Sequence, residues 1–121
     1  MKMIISVTNQ SKNFYMHLGK IFGSRQIEKI TGDRIYDDDD KIWHLYFKQA
    51  VPVAFVSTKD HVIRNIWADD IKCLQKVLEK IKNEVKESIV TRNFIDVYKD
   101  AGYKVKEYSP NFVIIRGEYN E

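Results

Sequence analysis

Cys73 is the single cysteine of this 121-residue chain. It stands at the head of an amphipathic stretch, where the positive end of a helix favours a thiolate. No histidine follows it at a useful spacing, so a nucleophilic pair has no support in the sequence. One thiol also excludes a disulfide within the chain and an all-thiolate zinc site. The histidines, His17, His44 and His61, form no pair at i, i+3 or i+4, so a metal site on one helix face has no support either. Asp69 and Asp70 are adequately explained as helix-start residues, because carboxylates are favoured at that end of the helix dipole. Asp37, Asp38, Asp39 and Asp40 repel one another and read as a solvated surface loop.

Positioning these residues requires a scaffold, and the periodicity outlines one. Ile4, Ile5 and Val7 open a short first strand. Phe14, Leu18, Ile21 and Phe22 recur at helical spacing, and Ile27 and Ile30 start a second short helix after Gly23. The period then becomes two. Trp43, Leu45 and Phe47 share one face of a strand over residues 42–47, with His44 on the other face as a partly exposed residue. Residues 51–57 return as a second strand, in which Pro52 must sit at the start or on an unpaired side because it lacks an amide donor. Residues 61–67 form a third, giving an antiparallel meander.

The clearest helix follows Asp69 and Asp70, with Ile71, Leu74, Leu78, Ile81 and Val85 on its buried stripe. Residues 89–91 form a short strand. A last helix runs over 93–101, with Asn93 as N-cap and Gly102 as C-cap. A hairpin over residues 103–116 turns at Ser109, Pro110 and Asn111. The order β-α-α-β-β-β-α-β-α-β-β describes an α/β (α+β) chain. Its sheet is mixed, mostly antiparallel and twisted, with helices flanking it.

Length supports one domain over residues 1–121. A net charge of +3, with acids interleaved among the bases, lacks the clustered Lys and Arg that salt-driven nucleic-acid binding needs. No apolar run approaches the ~18 residues of a membrane span, and the N-terminal apolar stretch is too short for a signal peptide. The expectation is a cytoplasmic, soluble protein.

Three segments together resemble the GCN5-related N-acetyltransferase family across nearly the whole chain. Residues 41–57 look like the family's central hairpin, with its aromatic strand followed by Val51-Pro52-Val53-Ala54-Phe55-Val56-Ser57. Residues 61–68 look like the splayed strand that leads to the cofactor. Residues 91–103 look like the late helix ending Tyr-x-x-x-Gly-Phe, here Tyr98, Gly102 and Tyr103. One departure stands out. The family's glycine-rich pyrophosphate turn is replaced by Ala68-Asp69-Asp70-Ile71-Lys72-Cys73, which contains no glycine.

The resemblance implies transfer of an acetyl group from acetyl-CoA to an amine on a small molecule or a protein. It implies Tyr98 as the acid that protonates the thiolate. It also implies Ile66, Trp67 and Ala68 as the strand end that holds the pantetheine arm, and Thr91 at the position near the family's asparagine. His44, His61, Asp69 and Asp70 become candidate bases by position. The competing expectation is a catalytically inactive module on the same fold that binds a protein partner, encoded by a bacterium, phage or mobile element. Pairing of two copies through sheet edges is compatible with either.

Overall fold

Alternation along residues 42–48 divides the molecule into two apolar layers. The computed structural model describes residues 2–8, 41–49 and 51–120. The helices expected over residues 14–22 and from Ile27, and the Asp37–Asp40 run, lie outside these.

Strands β1 (Lys2–Val7), β2 (Ile42–Lys48), β3 (Val51–Lys59) and β4 (Val62–Ala68) form an antiparallel sheet in that order. Trp43, Leu45 and Phe47 face one way, as their period-two spacing predicts, and cluster with Val7 and Phe55. Tyr46, Ala54 and Val56 face the other way and join the larger core. Pro52 lies opposite Phe47 where the β2–β3 register slips, so its missing donor falls at an irregularity of the ladder. The β3–β4 hairpin turns on Asp60 and His61, both at positive φ (53° and 67°), which suits the twist of a two-residue turn.

Helix α1 (Ile71–Ile81) packs on β2, β3 and β4. Its buried stripe is Cys73, Leu74, Val77, Leu78 and Ile81. The expected stripe is therefore corrected at one end. Ile71 is 54% exposed in the first turn, and Cys73 and Val77 take its place in the core. The helix gives way at Lys82–Glu84 to a 3₁₀ turn that ends at the buried Val85.

A second antiparallel sheet has the order β5-β7-β6, built from β5 (Ser88–Thr91), β6 (Lys104–Glu107) and β7 (Phe112–Arg116). A 3₁₀ turn at Arg92–Phe94 leads into helix α2 (Ile95–Asp100). Asn93 is thus inside the turn and is not the N-cap; Phe94 holds that position for α2. The described elements form an α+β arrangement of two antiparallel sheets with α1 and α2 packed against them.

Candidate active site

Strands β4 and β5 touch at one end and belong to different sheets at the other. The Lys86 amide donates to the His61 carbonyl at 2.8 Å, and the Ile63 amide donates to Ser88 Oγ at 3.0 Å. Partner numbers rise together along both strands, so the two run parallel. Beyond Ser88, β5 pairs with β7 and β4 pairs with β3. The strands therefore leave each other for separate ladders toward their C-terminal ends, Ala68 and Thr91.

Helix α2 packs on α1 and β6, carries Tyr98 into the main core and stops one turn later. The Tyr103 amide donates to the Tyr98 carbonyl at 3.0 Å, and the Gly102 amide donates to the Lys99 carbonyl at 3.0 Å. This pair of bonds is a Schellman ending, with Gly102 in the left-handed position at φ 91°. The rings of Tyr98 and Tyr103 meet edge-on at 5.9 Å. Tyr103 is fully bonded, its hydroxyl donating to the Leu78 carbonyl at 2.7 Å. Tyr98 is not. Its ring is completely buried, and its hydroxyl has no hydrogen-bond partner, the one such buried side-chain atom among the described residues. Burial pushes its pKa far above the ordinary phenol value, with the Tyr103 phenol as a smaller cause. The group stays protonated at every physiological pH.

The other residues singled out in the sequence divide between layers. Ile66 is buried in the same core as Tyr98, and Ala68 packs against that core. Trp67 points to the opposite face of the sheet, where it stacks on Phe55 at 5.7 Å. Thr91 ends β5 opposite Phe112 and is half-buried.

Solved structures share this arrangement at low sequence identity. Escherichia coli ElaA is 16% identical, with a TM-score of 0.60 over 95% of this chain and 98% of its own. The GNAT domain of S. lividans PAT is 12% identical, with a TM-score of 0.57 over 93% and 87% of the two chains. Aminoglycoside acetyltransferase AAC(6')-Ib, solved in complex with coenzyme A, is also 12% identical, with a TM-score of 0.57 over 97% and 95%. The chain has the GNAT fold. No protein-family model matches the sequence, and no curated protein matches it.

Within the GNAT fold the candidate bases separate clearly. His61 sits at the joined end of β4 and β5, where its ring stacks on Tyr119 at 3.8 Å; it is at the wrong end of the cleft. His44 is only 3% exposed, which corrects the expectation of a surface residue. Its Nδ1 lies 2.8 Å from Ser6 Oγ and its Nε2 lies 3.2 Å from Thr58 Oγ1. Burial, with a smaller contribution from Lys80, lowers its pKa to about 4, too low for an effective base at neutral pH. Asp69 is exposed at the end of β4. Cys73 is buried, and desolvation followed by the nearby Asp70 charge raises its pKa. The helix end therefore does not activate this thiol.

Asp70 has a different task. As N-cap of α1, its Oδ1 accepts from the amides of Lys72 at 3.0 Å and Cys73 at 3.3 Å. Its Oδ2 pairs with Lys48 Nζ at 2.6 Å. The Lys48 hydrogen bond is the main cause that holds its pKa at about 2. The amides of Asp69 and Asp70 donate to the Val53 carbonyl at 2.8 and 3.3 Å. The helix terminus that would receive the diphosphate of a coenzyme A-type donor is filled by the chain's own carboxylate, and the donor's sulfur would meet a proton donor at Tyr98 only where it reached the buried phenol. This plug is invisible to periodicity; the signal for it was the absence of glycine between Ala68 and Cys73.

Proposed function

We propose that the chain transfers an acyl group, acetyl in the simplest case, from a thioester of the acetyl-CoA class to an amine. Tyr98 is the acid. The amine nitrogen attacks the thioester carbonyl carbon, the carbon–sulfur bond breaks, and the sulfur takes the phenolic proton. The proton lost by the attacking nitrogen as it becomes an amide balances the one taken from the phenol, which is restored before the next turnover.

One observation carries this reading, the buried Tyr98 hydroxyl without a partner. Leaving such a group unbonded costs about 1–3 kcal/mol, and a thioester sulfur brought within reach of it would accept its hydrogen bond. The acetyltransferase named among the fold's neighbours, solved with coenzyme A, supports the same chemistry. Ile66, Trp67 and Ala68 would offer the strand end along which the donor's arm lies, and Thr91 would flank it.

The test combines acetyl-CoA with a panel of small amines and lysine peptides and follows free thiol and acetylated product. Amine-dependent thiol release that falls about 10²-fold in Tyr98→Phe, with donor affinity kept, is the expected result. No thiol release and no binding of any thioester would reject the proposal. The Asp70 cap favours a second reading, a non-catalytic module for a protein partner, and the same assay separates the two.

A further inference from the structure

The first turn of α1 begins just after β4 ends, so it lies at the splayed end of the cleft. A helix terminus there is where an anionic tail of the donor would gain most, provided its amides are free. They are not free. Lys72 and Cys73 donate to Asp70 Oδ1, Leu74 donates to the Asp70 carbonyl at 3.2 Å, and Asp69 and Asp70 donate to Val53. Of the two lysines that line the groove, Lys48 is taken as well, since it binds Asp70 Oδ2. Asp69 adds a second, exposed carboxylate beside it. Lys48, Val53, Asp69, Asp70, Ile71 and Lys72 line an open groove at this point.

A diphosphate seated there would have to expel the carboxylate, break the Lys48 pair and face Asp69. Charges of like sign at such short range repel one another even where solvent screens them in part. The backbone offers no other approach, because residues 68–73 contain no glycine.

We infer that Asp70 is a built-in occupant of the anion seat, and that the cleft accepts acyl-pantetheine thioesters without using a nucleotide diphosphate for recognition. The donor-class part rests on the acyl-transfer reading above. The plug itself does not.

The experiment titrates the full chain with acetyl-CoA, S-acetyl-pantetheine and inorganic pyrophosphate by calorimetry, for wild type and Asp70→Asn. Asparagine keeps the cap and so keeps the fold while removing the charge. In wild type, the two thioesters should bind within about threefold of each other, and pyrophosphate should not bind. In Asp70→Asn, acetyl-CoA and pyrophosphate should gain about tenfold, with S-acetyl-pantetheine unchanged. Wild type that prefers acetyl-CoA by about 30-fold or more, or a variant that loses acetyl-CoA affinity, overturns the inference and leaves acyl transfer standing. Binding of neither thioester rejects acyl transfer and the donor class together. A pyrophosphate gain would then still establish the plug, and its absence would overturn that too.

Discussion

The amide of Tyr103 bonds the carbonyl of Tyr98, and the rings of the same two residues touch edge-on. Backbone and side chain thus close α2 at the same pair of positions, with Gly102 between them supplying the left-handed turn. This relationship accounts for the spacing of Tyr98, Gly102 and Tyr103 without any chemistry. What it does not account for is the Tyr98 hydroxyl, which a phenylalanine would lack at no loss to the helix ending.

Tyr98→Phe should therefore raise stability while it lowers acyl transfer. Removing a buried, unbonded hydroxyl should add about 1 kcal/mol or more to the unfolding free energy. Urea unfolding beside the thiol-release assay checks both. A destabilised Phe variant would mean that the hydroxyl has a partner in the resting protein.

Gly102→Ala should cost about 1–2 kcal/mol, the usual penalty for a side chain in the left-handed region. At φ 91° the new Cβ would also lie 2.9 Å from Lys82 Nζ, but a lysine tip can move aside. Chemical denaturation would read the loss, and Gly102→Asn should recover part of it.

Gly117→Ala should cost more and for another reason. Its Cβ would lie 2.4 Å from the Lys82 carbonyl oxygen and 2.6 Å from that of Val85, which are fixed backbone atoms. Glu118 and Tyr119 bond those same two carbonyls. The expected cost is about 2–3 kcal/mol, and loss of the His61–Tyr119 ring stack, seen as a shift of the His61 ring protons, should accompany it.

Stability should fall on acidification in a window set by His44. Its pKa is about 4 in the folded chain against 6.5 when exposed, so the unfolded chain binds the proton more tightly. Stability is complete above pH 6.5 and is lost as pH drops toward 4, by about 3 kcal/mol in total. Asp70, with its lowered pKa of about 2, contributes stability that disappears only below its ordinary value of 3.8. Unfolding curves at pH 7, 5.5 and 4.5 should show the first loss in wild type and a much flatter profile in His44→Gln.

The strands and α1 were legible because each carries a strong period. Trp43, Leu45 and Phe47 alternate, and Leu74, Leu78 and Ile81 step by helical turns. The ends were less legible. Asn93 looked like a cap because its side chain suits one, yet the 3₁₀ turn at Arg92–Phe94 moves the start of α2 past it. Ile71 shares helical spacing with Leu74 and Leu78, yet the buried stripe centres on Cys73, Leu74, Val77 and Ile81 and leaves Ile71 at its exposed edge. His44 was misplaced because strand alternation gives a face but not what covers that face. At the candidate site, the doubtful diphosphate seat was readable from the missing glycine, whereas the Lys48–Asp70 pair joins residues 22 apart in sequence and only the fold brings them together.

The order β5-β7-β6 puts the last strand in the middle of its sheet. Among the described residues β5 and β6 each form a ladder with β7 alone, β5 having besides its contact with the start of β4. Neither ladder can form until Phe112–Arg116 is available, and the 3₁₀ turn after α1 draws its Glu118 and Tyr119 bonds from residues further on still. A released chain truncated before Phe112 would leave both strands without a ladder partner, so resistance to proteolysis should be lost abruptly, not gradually, once truncation reaches β7.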